Sequence, residues 1–315
     1  MAALQPLDDA VVADATGAGE GAPAVAATTA AGPAAGARAG RRARRRGFGV
    51  AFWLAVAWLV LVLLAAVTAE WLPLADPYLP DVSAKLDGPS AEHPLGADGL
   101  GRDQLSRLVH GARVSVTVSL SAVGIGMLVG GVLGTAVGYL RGLFETVVMA
   151  VVDVMLAFPS LVLLLAVLAY VGRSLTVISL LIGVLSIPVY TRVARANTLA
   201  VAQREFVLAA YTLGATRRRI LFREIVPNVA LSVLAFGLVA MGVVIVLEGS
   251  LAVLGLSVPA PQPTWGDMIA TSKTHLDDAP HAALIPSAAM FLTVLSLNFV
   301  GDTLRRRLDV KDAGL

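Results

Sequence analysis

The chain has 315 residues, 57% of them hydrophobic and only 15% charged, with a mean hydropathy of +0.79. A soluble domain is about 45–50% apolar and about 25% charged, and the excess here is too large for one core to bury, which excludes an ordinary soluble enzyme and points to a polytopic membrane protein. With no cysteine and only four scattered histidines (His93, His110, His275, His281), disulfides, thiolate zinc sites, iron–sulfur clusters and cysteine nucleophiles are excluded as well, and the small formal charge of +2 matters less than where the charges sit.

Residues 1–47 are rich in Ala, Gly, Pro and Thr and nearly free of large apolar side chains, a composition that predicts a disordered tail. It ends in Gly40-Arg41-Arg42-Ala43-Arg44-Arg45-Arg46, a basic stop beside a membrane. A twin-arginine signal peptide cleaved near Val67-Thr68-Ala69 is the competing reading. The apolar stretch 49–69 exceeds the roughly 7–15 residues of a signal core, so it reads as a retained first span. Further uncharged apolar runs cover 114–140, 146–171 (interrupted by Asp153), 174–191, 229–247 (extended to about 256 past Glu248) and 282–300. Each is long enough to cross a bilayer as a helix, and no alternating ten-residue pattern of a β-barrel occurs. The expected fold is therefore all-α with six transmembrane helices. Residues 1–47 form the tail and 48–315 the membrane domain.

Charge sets the expected orientation. With both termini cytoplasmic, eighteen of the 24 basic residues fall on the inside, including Arg141, Arg192, Arg195, Arg217, Arg218, Arg219, Arg305, Arg306 and Arg307. Most loop acids, among them Asp87, Asp98, Asp103 and Asp267, fall outside.

Within the spans, Gly126, Gly130, Gly134 and Gly138 recur every fourth position, the pattern of a face that admits a neighbouring helix closely. Asp153 and Pro159 interrupt the third run. An acid at that depth either lines a substrate path or snorkels near a helix end, and the proline favours a kink. Glu248 either lines a cavity or marks the end of a span. Asn298 suits an interhelical hydrogen bond better than a ligand, and all four residues are candidates for a substrate pathway. No HExxH, GxSxG or P-loop pattern is present, so any ATP hydrolysis must come from another subunit.

The loop at about 192–228 is too long and too patterned for a connector. Arg204 to Leu213, beginning at Glu205, predicts a short helix with Phe206, Ala209, Ala210 and Leu213 on one face. Gly214 fits its stop. Thr216 fits the cap of a second helix that starts at Arg217-Arg218-Arg219, passes Ile220 and ends at Pro227.

EFVLAAYTLGATRRRILFREIVPN (205–228) resembles the "EAA" loop of bacterial ABC-importer permeases, and more narrowly that of the C-type subunit of the dipeptide/oligopeptide/nickel permease family. Four more segments agree in order: HPLGADGLGRDQLSRLVHGARVSV (93–116), VVDVMLAFPSLV (151–162), LEGSLAVLGLSVPAPQPTWGDMI (247–269) and NFVGDTLRRRLDVK (298–311). Leu208 departs from the pattern, standing where the loop's name implies a glutamate. The final segment ends Leu-Asp-Val rather than Leu-Asp-Pro. The resemblance implies a type I importer permease fold in the bacterial inner membrane and a loop that couples to ATPase subunits. It implies as partners a second homologous permease, two ABC ATPases, an extracytoplasmic substrate-binding protein and lipid, but no nucleic acid. No cofactor is expected in this chain, because ATP and magnesium would bind in the partner subunits. Short peptides are the expected cargo, with nickel or another small solute as alternatives. An ion-coupled secondary transporter would call for inverted repeats and buried midplane acids, and a membrane enzyme for a catalytic set. Neither pattern is found in the sequence.

Overall fold

The computed structural model describes residues 48–312, with side chains to residue 307; the tail assigned to residues 1–47 lies outside the described residues. Nine helices account for most of this region: α1 (Val50–Thr68), α2 (Gln104–Leu140), α3 (Gly142–Ala157), α4 (Ser160–Val171), α5 (Leu175–Ala202), α6 (Glu205–Thr212), α7 (Arg217–Val253), α8 (Trp265–Ser272) and α9 (Pro280–Asp312). Among the described residues there is no strand beyond an isolated bridge between Ala97 and Asp103. Five helices (α1, α2, α5, α7 and α9) are long and apolar enough to cross a membrane alone, and α3 with α4 passes the same test as a bent pair.

The first span falls within one residue of its expected limits; the others differ, for identifiable reasons. Helix α2 begins at Gln104, ten residues ahead of the apolar run, because its charged first turns are folded against a polar cap rather than left in water. Asp103 caps it, accepting from the Ser106 amide at 2.7 Å. The third run is no straight helix. Phe158 adopts an extended conformation, as the residue before a proline tends to, and α3 and α4 meet at 79°. Helix α5 does not stop at the first arginine but continues to Ala202, since Arg192 and Arg195 find carboxylates on α3. The helix expected to end at Pro227 instead runs into the fifth span as one body, α7. A π turn at Leu221–Ile225 lets the Val226 amide bond to Leu221 O, five residues back. Pro227 then sits in the first turn of regular helix beyond it, where its missing N–H costs little. Helix α7 ends at Val253, not near 256, and α9 extends well past 300 in the loop-end direction.

Helix α5 is the hub of the bundle. The four glycines of α2 lie against it: a Cβ at Gly126 would meet the Tyr190 ring at 2.7 Å, at Gly130 Ile187 O at 2.5 Å, and at Gly138 Thr198 Cβ at 2.9 Å, while Gly134 abuts Thr191 and Ala194. Backbones this close gain dispersion along their whole contact, which is how helices associate where water supplies no drive. Tyr190 packs edge-on against Phe236 of α7, with ring centroids 5.3 Å apart. Helix α1 buries Ala55, Val62 and Ala66. Its Trp58 donates to Thr293 of α9 at 3.0 Å, and Arg307 of α9 lies over the Phe48 ring at 3.7 Å.

Candidate functional site

Two polar assemblies occupy opposite ends of the bundle. At the loop end, α6 presents Glu205, Phe206, Leu208, Ala209, Tyr211 and Leu213 outward, with Leu213 87% exposed. Val207 is buried, and Ala210 and Ala215 pack against the same core. Gly214 closes the helix at φ +78°, with its amide bonded to Tyr211 O and the Ala215 amide to Ala210 O, both at 3.0 Å. That pair of bonds is the glycine-terminated Schellman turn, and only glycine adopts its left-handed backbone without strain. Thr216 caps the start of α7, accepting from the Arg219 amide at 3.4 Å. Ile220 is buried beneath it, while Arg217, Arg218 and Arg219 are exposed.

A polar contact ties the loop to the spans. The Tyr139 hydroxyl, near the end of α2, donates to Arg217 O at 2.9 Å and lies 3.2 Å from the Tyr211 hydroxyl. The turn Gly214–Thr216 is thus bracketed on both sides by one side chain of a membrane helix. Neither tyrosine stands out in the sequence, because the two are 72 residues apart.

The proposed pathway residues do not converge. Asp153 of α3 accepts from Arg192 of α5 at 2.6 Å, on the surface of the bundle. Eight residues earlier, Glu145 accepts from Arg195 Nε at 2.7 Å. These two pairs join α3 to α5. Pro159 begins α4 at the bend. Glu248 lies five residues before the end of α7. It is fully buried within α7, where Ser257 donates to it at 2.6 Å. Asn298 bonds within its own helix, to Val294 O at 2.8 Å, and not across to a neighbour.

At the other end a polar cap covers the start of α2. Arg107 is 1% exposed; it donates to Pro77 O at 3.1 Å and approaches Asp98 at 3.3 Å and Asp267 at 3.6 Å. Asp98 also accepts from Arg102 at 2.8 Å and from the Leu100 and Arg102 amides. Gln104 donates to Ala282 O, and the Trp265 indole to Leu108 O at 3.0 Å. Burial pushes the Asp267 carboxyl above the ordinary aspartate range, against the opposing pull of Arg107 and Arg102. Sequence reasoning missed this cluster. Its charged residues lie in two of the segments that carry the family resemblance, 93–116 and 247–269, but 160 positions separate Arg107 from Asp267.

A bundle of apolar helices with a glycine-turned loop at one end and a polar cap at the other is the architecture of a transport subunit. Residues 126–311 match the family described as binding-protein-dependent transport system inner membrane component, and the chain belongs to it. It is similar to the glutathione transport system permease protein GsiD of Pectobacterium atrosepticum, 38% identical over 261 residues that cover 82% of this chain and 87% of that protein. It is likewise 36% identical to the proteins of that name from Escherichia coli and Shigella boydii, over 82% of this chain and 86% of each. The chain is a multi-pass permease subunit of an ABC importer in the bacterial inner membrane, and ATP hydrolysis belongs to partner subunits. The family implies partnership with those ATPases and with a substrate-binding protein.

Proposed function

We propose that this subunit forms half of a pathway for short peptides, of the size of the glutathione for which its relatives are named, and that Glu205–Arg223 couples it to an ATPase. The supporting observation is the loop itself. A short helix offers an apolar face (Phe206, Ala209, Leu213) away from the bundle, while Ala210 of the expected face packs inward; it turns at Gly214 and leads without a break into a membrane helix. A surface of that kind suits a groove in a partner, read by spaced apolar anchors. In this reading both termini and the loop are cytoplasmic, following the arginine bias, and the cap faces outward. A second, homologous permease completes the pathway, and two ATPases bind ATP and magnesium beneath it. Closure of the ATPases shifts each loop, and α7 carries that shift into the bilayer. Coupling requires the loop to be bound differently in the two states.

The test is Gly214→Glu. Nothing lies within 4 Å of a Cβ built at Gly214, so the bundle is not crowded, but the left-handed backbone costs about 1 kcal/mol or more for a non-glycine residue. The expected result is normal insertion with poor ATPase copurification and loss of cargo-stimulated hydrolysis and uptake, while Arg218→Ala keeps more of each. Wild-type ATPase binding and uptake in Gly214→Glu would refute the coupling role.

A further inference from the structure

An apolar groove of about 520 Å³ opens between α2 and α7 at the loop end. One wall is Met127, Leu128, Gly131, Val132, Thr135 and Ala136; the other is the row Leu221, Phe222, Val226, Val229, Ala230, Val233 and Leu234. Both π turns, Gly126–Gly130 and Leu221–Ile225, contribute to it. Its large side chains stand open to the surroundings: Leu128 is 67%, Val132 69% and Phe222 67% exposed. On α7 the lining recurs at Phe222, Val226, Ala230 and Leu234. The same four-residue step taken toward the loop reaches Arg218. Among the described residues Arg218, Arg219 and Arg223 form no ion pair, and the Tyr139–Tyr211 hydroxyl pair lies beside the same end.

We propose that this groove holds one acyl chain of an anionic phospholipid, whose phosphate is met at the mouth by Arg218 with Arg219 or Arg223. Length and charge both favour that occupant. From Phe222 to Leu234 is twelve residues, about 18 Å of helix, against about 15 Å for one leaflet of a hydrocarbon core about 30 Å thick. The walls carry one polar side chain, Thr135, whose hydroxyl is already used on Gly131 O at 2.7 Å, so the interior offers an apolar chain nothing to desolvate. Unpaired guanidinium groups at the membrane-surface end supply the attraction for a headgroup phosphate. A helix from a protein partner would need an acidic side chain at that same end, whereas an anionic phospholipid brings its phosphate to the membrane surface by its own construction. The site stands on the groove and the arginines alone and does not require the loop to be a coupling element.

The whole transporter, purified from membranes and washed in detergent, is reconstituted into vesicles of phosphatidylcholine with a quarter phosphatidylglycerol, then re-extracted, and its retained lipid is identified by mass spectrometry. The wild-type complex is expected to keep phosphatidylglycerol in preference to phosphatidylcholine. Ala230→Trp, which fills the groove, should lose most of the retained lipid of both kinds. Arg218→Gln should lose the preference while keeping some lipid. Equal retention in wild type and Ala230→Trp would overturn the proposal. So would efficient cross-linking of Phe222→Cys to a cysteine on the second permease, which would show the groove covered by protein. This chain has no cysteine of its own, so each introduced thiol reports one position. Folding of Ala230→Trp is checked by recovery of the assembled complex, and Val132→Trp, on the opposite wall, provides a second filled groove.

Discussion

At the cap end, Arg107 is enclosed by Asp98, Asp267 and the Pro77 carbonyl, with Trp265 and Gln104 bonding across to other segments. At the loop end, some 48 Å away along α2, a tyrosine hydroxyl at the surface is the polar tie described between α6–α7 and that same helix. The two ends use polar groups to opposite effect. Enclosed ion pairs are costly to open, because each partner would be left unsatisfied out of water. An exposed hydroxyl bond exchanges with water at little cost. The cap is therefore the costlier end to open and the loop the cheaper one.

Removing the centre of the cap should produce the largest effect. Arg107→Met leaves Arg102 as the remaining cation for both Asp98 and Asp267, so the loss falls at the low end for a broken buried pair, about 3 kcal/mol. The thermal unfolding midpoint of the purified chain should drop by several degrees. A midpoint equal to wild type would mean that the cap is not the rigid end. Tyr139→Phe removes both bonds at the opposite end and should cost only about 1 kcal/mol, leaving the midpoint nearly unmoved. Its effect is expected in the number of ATP hydrolysed per cargo taken up, which should rise as the loop loosens. A shift in the midpoint with unchanged stoichiometry would reverse the assignment of the two ends. The smallest effect concerns pH. The folded protein raises the Asp267 carboxyl above its ordinary value, so the fold binds its proton more tightly than the unfolded chain does. The stability this gives is fully present below the ordinary carboxylate pKa of about 3.9 and is lost as pH rises through the higher folded value. Asp267→Asn should flatten that fall, measured as the difference between the two unfolding midpoints over a series of mildly acidic buffers. Parallel curves would show that Asp267 carries none of it.

The same contrast explains what could be read from the chain. Apolar runs and the arginine bias make the class of fold legible, since the bilayer admits few alternatives. The turn at Gly214 is legible because its cause is local: an amphipathic helix followed by the residue that tolerates φ > 0. The limits of α2 and α5 are not, because a hydropathy scan stops at the first charge. Arg107, Arg192 and Arg195 are continued into helix by carboxylates 160, 39 and 50 positions away or fewer, and no window sees such partners. Pro227 misleads for a different reason. Proline is a stop signal only where regular helix must accept it, and the π turn ahead of it changes the bonding register. Polarity alone singles out Glu248 and Asn298, whereas in the folded chain Ser257 donates to one Glu248 oxygen and Asn298 bonds to Val294 O.

The contact of Arg307 with the Phe48 ring brings the start of α1 and the end of α9 to one end of the bundle, and that fixes a parity. A chain that leaves and returns on the same side crosses a layer an even number of times. Five helices are long and apolar enough to cross unaided, and five is odd. The bent pair α3–α4 must supply the sixth passage, as a single crossing broken at Phe158-Pro159, rather than dip in and return on its own side. The most sharply broken helix of the molecule is thus required by bare counting, whatever its 79° bend contributes to transport.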